Sequence, residues 1–237
     1  SGLTIVRLSL DARALRHTAE LVELTRDIVF LRSALLAELA ATWDRYSSHT
    51  HVSIDEFARD TDSAAQRLAA HLASPNVAPL VSEQVRADAA ALQRLLVGLS
   101  DSRSFFALDD RANPPFTPDA VAHRARYEEA FEQLFAFMTV LNRHTPSASL
   151  RSRLDGLVWS GRLAVAAEIE RTRYAHGLAG GQLTLLEITR VLHATSLLRY
   201  HESNAALMAP PELHGFWQNI LSDPAYARIQ NLRTAAL

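Results

Sequence analysis

The chain has 237 residues, is 48% hydrophobic and carries a formal net charge of -2. That is enough apolar content for a substantial core, and too little net charge for a field that draws the chain to nucleic acid or an anionic membrane. Cysteine is absent, which excludes disulfides, iron–sulfur ligation and thiol catalysis. All 24 basic residues are arginine, a bias that fits GC-rich coding better than selection against lysine modification.

The predicted elements are helical throughout. Helix 1 is expected over about Thr4 to Tyr46, followed by the polar loop Ser47 to Val52. Ser53 reads as the N-cap of helix 2, about Ile54 to Ala73, with Asp55 and Glu56 in its first turn. The segment from Ser74 to Pro79 breaks the chain, and helix 3 fills about Leu80 to Leu108. Asn113 to Pro118 is the next break, before helix 4 over about Pro118 to Arg143. Helix 5 is expected from about Ala148 to Ala179, ended by Gly180-Gly181. Thr184 and Glu187 form a capping box that opens helix 6, which runs to about Met208. Two shorter helices follow Pro211 and Pro224. The chain therefore reads as all-α, about eight helices with short connections in two antiparallel four-helix bundles, 1–144 and 145–237. The longest apolar run, Leu134 to Leu141, has bundle-core length and falls well short of the ~18 residues of a spanning helix. No cleavable signal pattern is present.

A rotation of ~100° per residue sorts each helix into faces. In helix 1, Arg13, Arg16, Glu20, Glu23, Asp27 and Glu38 fall on a charged face. Arg26 falls instead on a line with Leu8, Leu15, Ala19, Val22 and Phe30, and Arg32 on one with Leu21, Thr25, Leu39 and Trp43. In helix 5 the charged face holds Arg151, Asp155, Arg162 and Arg173, while Arg171 falls among Leu157, Ala164, Ala167 and Leu178. Arg26 and Arg171 are therefore expected to point inward. An arginine keeps its charge in a protein, so a buried one needs an acceptor. One reading closes each arginine with an internal carboxylate, such as Asp62, Glu168 or Glu170. The other lets two guanidinium forks from different helices hold a small oxyanion through paired donors.

Other chemistry finds no support. His49 and His51 alternate in a polar loop, and His193 and His201 are more than two helical turns apart. Metal-ligating and catalytic motifs such as HExxH are absent, and Gly180-Gly181 follows no strand, so it is no phosphate loop. Glu128-Glu129 and Asp109-Asp110 read as solvated charges. Aromatic residues do not interleave with basic clusters, so this domain is not expected to bind nucleic acid directly. No catalytic residue, metal or cofactor is assigned.

Two stretches resemble a known family, the nitrate- and nitrite-sensing domains of bacterial signalling proteins. One is Glu170-Arg171-Thr172, then Leu178 to Leu183 and the helix from Thr184 to Met208. The other is Thr25-Arg26-Asp27 with the apolar Ile28 to Leu31 after it. Thr61-Asp62 and the Tyr127 helix are similar as well. The resemblance implies one sensor domain over 1–237, built as a pair of four-helix bundles, in which nitrate or nitrite binds near Arg26 and Arg171. Arg32, Thr25 and Thr172 are additional candidates, the two threonines standing where the family has glutamate and alanine. It also implies a covalently linked output domain outside this chain, and it is compatible with a homodimer. The apolar start, Ser1 to Val6, favours an extracytoplasmic (periplasmic) segment of a membrane-bound receptor, the alternative being a cytoplasmic sensor. The competing functional reading is a helical scaffold or interaction domain with no small-molecule ligand.

Overall fold

The computed structural model describes residues 2–48, 53–107, 117–145, 147–179, 185–209 and 214–235. Its elements are α1 (Gly2–Ser48), α2 (Ile54–Leu72), α3 (Glu83–Ala107), α4 (Pro118–Arg143), α5 (Ala148–Ala179), α6 (Leu185–Met208), α7 (His214–Ser222) and α8 (Pro224–Ala235). Every described element is helical, so the fold is all-α. The helix ends follow local chemistry. Thr117 caps α4 by accepting from the Ala120 amide at 3.1 Å, and Pro118 occupies the first helical position. α3 starts later than expected because the Ser82 hydroxyl accepts from the Val85 amide at 3.3 Å, which places the cap there rather than before Leu80. Ser53 has the extended backbone of an N-cap but makes no side-chain capping bond. The capping box at Thr184, the glycine pair 180–181, His49, His51, Asp109 and Asp110 lie outside the described residues.

Contacts divide the chain into two compact units, Ser1–Ser147 and Ala148–Leu237. In the first, α1 pairs with α2 and α3 pairs with α4, and the two hairpins close into a four-helix bundle. The seam of α1 is Leu21, Leu24, Ile28, Leu31, Leu35, Glu38 and Thr42, all buried. These positions alternate in steps of three and four, the heptad spacing of helices packed along their length. α4 buries Tyr127, Phe131, Phe135 and Phe137 completely or nearly so, together with Leu134, Met138 and Leu141 of the longest apolar run. Trp43 and Phe106 meet edge to face with centroids 6.2 Å apart.

The core of this unit also holds a charge. Glu38 is 0% exposed, although its sequence placed it on the charged face of α1. Arg103 of α3 donates from Nε to Glu38 Oε1 at 2.8 Å and from Nη2 to Glu38 Oε2 at 3.0 Å. The Tyr127 hydroxyl of α4 donates to Glu38 Oε1 at 2.8 Å. Arg103 Nη1 also donates to Asp62 Oδ2 of α2 at 3.1 Å. One carboxylate and one guanidinium thus tie all four helices. Burial alone would lower the Arg103 pKa, but its hydrogen bonds to Glu38 and Asp62 outweigh that and raise it. Burial and the neighbouring Glu38 charge push the Tyr127 phenol up, so it stays a donor. Arg103 was legible as an anomaly, since it follows Leu92, Leu96 and Leu99 at heptad spacing and precedes Phe106.

In the second unit α5 and α6 form a long hairpin. Leu154, Val158, Val165 and Thr172 of α5 and Val191, Ala194, Leu198 and Ala205 of α6 are buried. α7 and α8 pack with each other, and the Tyr226 hydroxyl of α8 donates to Glu202 of α6. With 9 and 12 residues they are much shorter than the 24 residues of α6. At ~1.5 Å per residue they cannot run its length. Leu185, Ile188 and Leu192 are exposed on the first turns of α6.

The buried clamp yields a contrast between its two acids. Glu38→Ala strands the Arg103 guanidinium and removes the acceptor of Tyr127, so it should cost about 3–5 kcal/mol. Asp62→Ala removes a half-exposed partner and should cost under about 1 kcal/mol. Urea denaturation of both variants checks the pair, and equal costs would show that Glu38 does not anchor the bundle.

Candidate anion site

Arg26 does not point into the bundle. It occupies the position of α1 opposite the heptad seam, its side chain is 64% exposed, and Nη1 lies 3.5 Å from Glu23 Oε2. Its Cζ stands 5.6 Å from the centroid of the Phe30 ring, and the Arg67 Cζ of α2 stands 5.4 Å from the same ring. The inward expectation failed for a physical reason. Apolar side chains alone do not mark a buried face, and the seam of Leu24, Ile28, Leu31 and Leu35 lies on the opposite side of α1. Val22 and Phe30, which marked Arg26's face as apolar, are themselves exposed at 46% and 44%.

Arg32 is the intruder that packing partly encloses. It is half-buried, and desolvation lowers its pKa. Thr25 is buried, and its hydroxyl donates to the Leu21 carbonyl of its own helix at 2.7 Å. On the α1–α2 side, His71 Nδ1 lies 2.8 Å from Asp27 Oδ2 and Nε2 lies 3.4 Å from Glu20 Oε2. One imidazole therefore bridges two carboxylates two turns apart on α1, next in sequence to Arg26. Burial lowers the His71 pKa, but the hydrogen bonds and charges of Asp27 and Glu20 outweigh it and leave the value raised.

Arg171 is also exposed, with its side chain 47% accessible. Glu168, one turn earlier on α5 and only 14% exposed, holds its fork. Arg171 Nε donates to Glu168 Oε2 at 2.9 Å and Nη2 donates to Glu168 Oε1 at 2.7 Å. This corrects the inward expectation and matches the alternative in which Glu168 closes the arginine. Arg171 flanks the apolar seam of α5 instead of entering it; of its supposed apolar neighbours, Ala167 is exposed and Leu157 and Ala164 only half-buried. Thr172 is buried and donates to the carbonyls of Glu168 at 2.9 Å and Ile169 at 3.0 Å. Glu170, the other nearby acid, is buried and accepts from the Thr195 hydroxyl of α6 at 2.9 Å. It fastens α5 to α6 directly beside Arg171.

A groove of about 220 Å³ between α2 and α3 is lined by Leu31, Leu68, Leu72, Leu92 and small alanines. One of its polar groups, Arg86, donates to the Ala78 carbonyl at 3.0 Å. Glu128 is less free than its sequence implied, since it pairs at 3.1 Å with the buried Arg124, which lies over Trp43. His201 is buried against Trp159 and Tyr200, and His193 is exposed. Among the described residues no group of three or more His, Asp or Glu is placed to hold a metal ion, and no helix is long and apolar enough to cross a membrane.

The His71 bridge has a signed pH dependence. A raised folded value means that its contribution to stability is full below the ordinary histidine pKa of about 6.5 and is lost as pH rises through the raised value. Wild type should therefore lose stability between pH 6 and pH 8 relative to His71→Ala. Denaturant midpoints at the two pH values check this, and parallel changes in the two proteins would rule the bridge out.

Arg26 and Arg171 are each exposed and each paired with an acid three residues earlier on the same helix. A family model described as nitrate and nitrite sensing matches residues 31–237. Arg32, Arg171 and Thr172 lie inside the matched stretch, whereas Thr25 and Arg26 precede it. No curated protein and no solved structure matches the chain significantly. With nearly the whole chain matched across both units, this protein belongs to the nitrate- and nitrite-sensing family.

Proposed function

We propose that the chain is a single sensor domain, 1–237, that binds nitrate or nitrite through arginine forks and passes the change in helix packing to an output domain outside this chain. The observation that carries the reading is Arg171, which lies inside the family match and presents its guanidinium at an exposed helical face. A guanidinium offers paired donors in a plane, and a planar trigonal oxyanion accepts them in the same plane. Arg26 is the second proposed ligand, supported by its exposure and by the same one-turn spacing to an acid. Arg32 is a weaker one, because its guanidinium is half-buried on α1. Thr25 and Thr172 remain as neighbours of the two arginines, and their hydroxyls already donate to backbone carbonyls.

Sensing suits the chain better than catalysis. The acids beside the arginines each serve as an ion-pair or hydrogen-bond partner. The proposed setting is the extracytoplasmic part of a membrane-bound receptor, in keeping with the family's signalling role, and a homodimer is compatible with it. A scaffold without a ligand is the rival reading.

Thermal unfolding separates the two. A ligand held at about 100-fold over its Kd stabilises the native state by ~2.7 kcal/mol, and each kcal/mol moves the Tm of a chain this size by roughly 2–4 °C. Nitrate or nitrite should therefore raise the Tm by several degrees. Chloride at matched ionic strength should do less, because it cannot accept a fork of donors. Arg171→Ala should abolish the nitrate shift while leaving the unliganded protein folded, since the arginine itself stands 47% exposed outside the α5–α6 seam. Equal shifts from all three salts would favour the scaffold.

A further inference from the structure

We infer that Glu168 is a built-in competitor for the anion: its carboxylate occupies the Arg171 fork that nitrate or nitrite needs, so binding is an exchange of one planar oxyanion for another. This deepens, and rests on, the reading of Arg171 as an anion ligand. Glu168 Oε1 and Oε2 accept from Nη2 and Nε of Arg171 at 2.7 and 2.9 Å, a bidentate arrangement on one edge of the guanidinium. Nitrate and a carboxylate share the planar oxygen–centre–oxygen geometry that this edge of the guanidinium selects. Glu168 is held ready for the role, since its side chain is only 14% exposed and shares a helix face with Arg171 one turn on. Glu170, the second acid of the segment, is buried and accepts from Thr195 of α6.

Arg26 repeats the device in weaker form. Glu23 also stands three residues before its arginine, but at 3.5 Å and with both side chains largely exposed. In each unit the acid and the arginine cancel in charge, so a free anion meets a neutral pair until the carboxylate leaves. The exchange sets a threshold: affinity is reduced by the fraction of time the fork is closed. It also supplies a moving part, because the departing Glu168 carboxylate gives up the partner that held it on its own helix.

The test is nitrate affinity by isothermal titration calorimetry on the whole chain. Wild type is compared with Glu168→Gln, Glu168→Asp and Asp101→Asn. The last removes an acid from another exposed arginine pair, Arg126–Asp101 at 3.2 Å, and controls for a simple change in net charge. A pair with one half-exposed partner closes the fork by a factor of a few, so Glu168→Gln should bind nitrate roughly fivefold more tightly. Glu168→Asp, shortened but still charged, should lie between it and wild type, and Asp101→Asn should match wild type. Tight binding by Glu168→Gln with none measurable in wild type would also support the competitor. Unchanged or weaker binding by a folded Glu168→Gln, with wild type still binding, would overturn the competitor and leave the Arg171 site standing. Equal tightening by Asp101→Asn would overturn it in favour of a general field effect. No nitrate binding by any of the four proteins would overturn the Arg171 site and the competitor together.

Discussion

A single buried carboxylate organises the first unit. Glu38 sits on the apolar seam of α1 with no exposure, and a charge in that position survives only if its lost hydration is replaced. Arg103 and Tyr127 supply three donors from α3 and α4, and Asp62 of α2 takes the far side of the guanidinium. The apolar residues around it could be satisfied by many registers of four helices. This clamp is satisfied by one, because a bidentate pair fixes distance and orientation together. Replacing a buried ion pair by well-packed apolar residues is often neutral in stability, whereas removing one partner alone is costly.

With the registers fixed, the outer face of α1 becomes a surface with a defined pattern. Arg26, Phe30 and the Arg67 guanidinium of α2 stand together on it, and the His71 bridge to Asp27 and Glu20 ties the same stretch of α1 to α2. The second unit uses the same logic at smaller scale. Glu170 and Thr195 lock α5 to α6 inside the hairpin, which leaves Arg171 and Glu168 outside it on a rigid helix. In both units a polar contact between helices, His71 with Asp27 in the first and Glu170 with Thr195 in the second, lies close in sequence to an acid–arginine pair one turn apart. Rigid support of this kind is what a binding group needs if ligand exchange is to move helices instead of being absorbed by a floppy loop.

The helical periodicity, the proline and glycine breaks and the acid-rich first turn of α2 were enough to determine an all-α chain of about eight helices, because those signals are local and each acts within a turn or two of itself. The motif around Arg171 was legible for the same reason, its spacing being carried along one helix. Which side of a helix faces inward was decided only by tertiary packing. Apolar residues such as Val22 and Phe30 suggested burial beside Arg26, yet the heptad seam of α1 turned them and the arginine outward. Glu38, read as a surface charge, went to the centre because Arg103 and Tyr127 come from helices distant in sequence. Burial of a polar group is settled by partners that a one-helix projection cannot contain, and that is why the fold could be read from the chain while the facing of its charges could not.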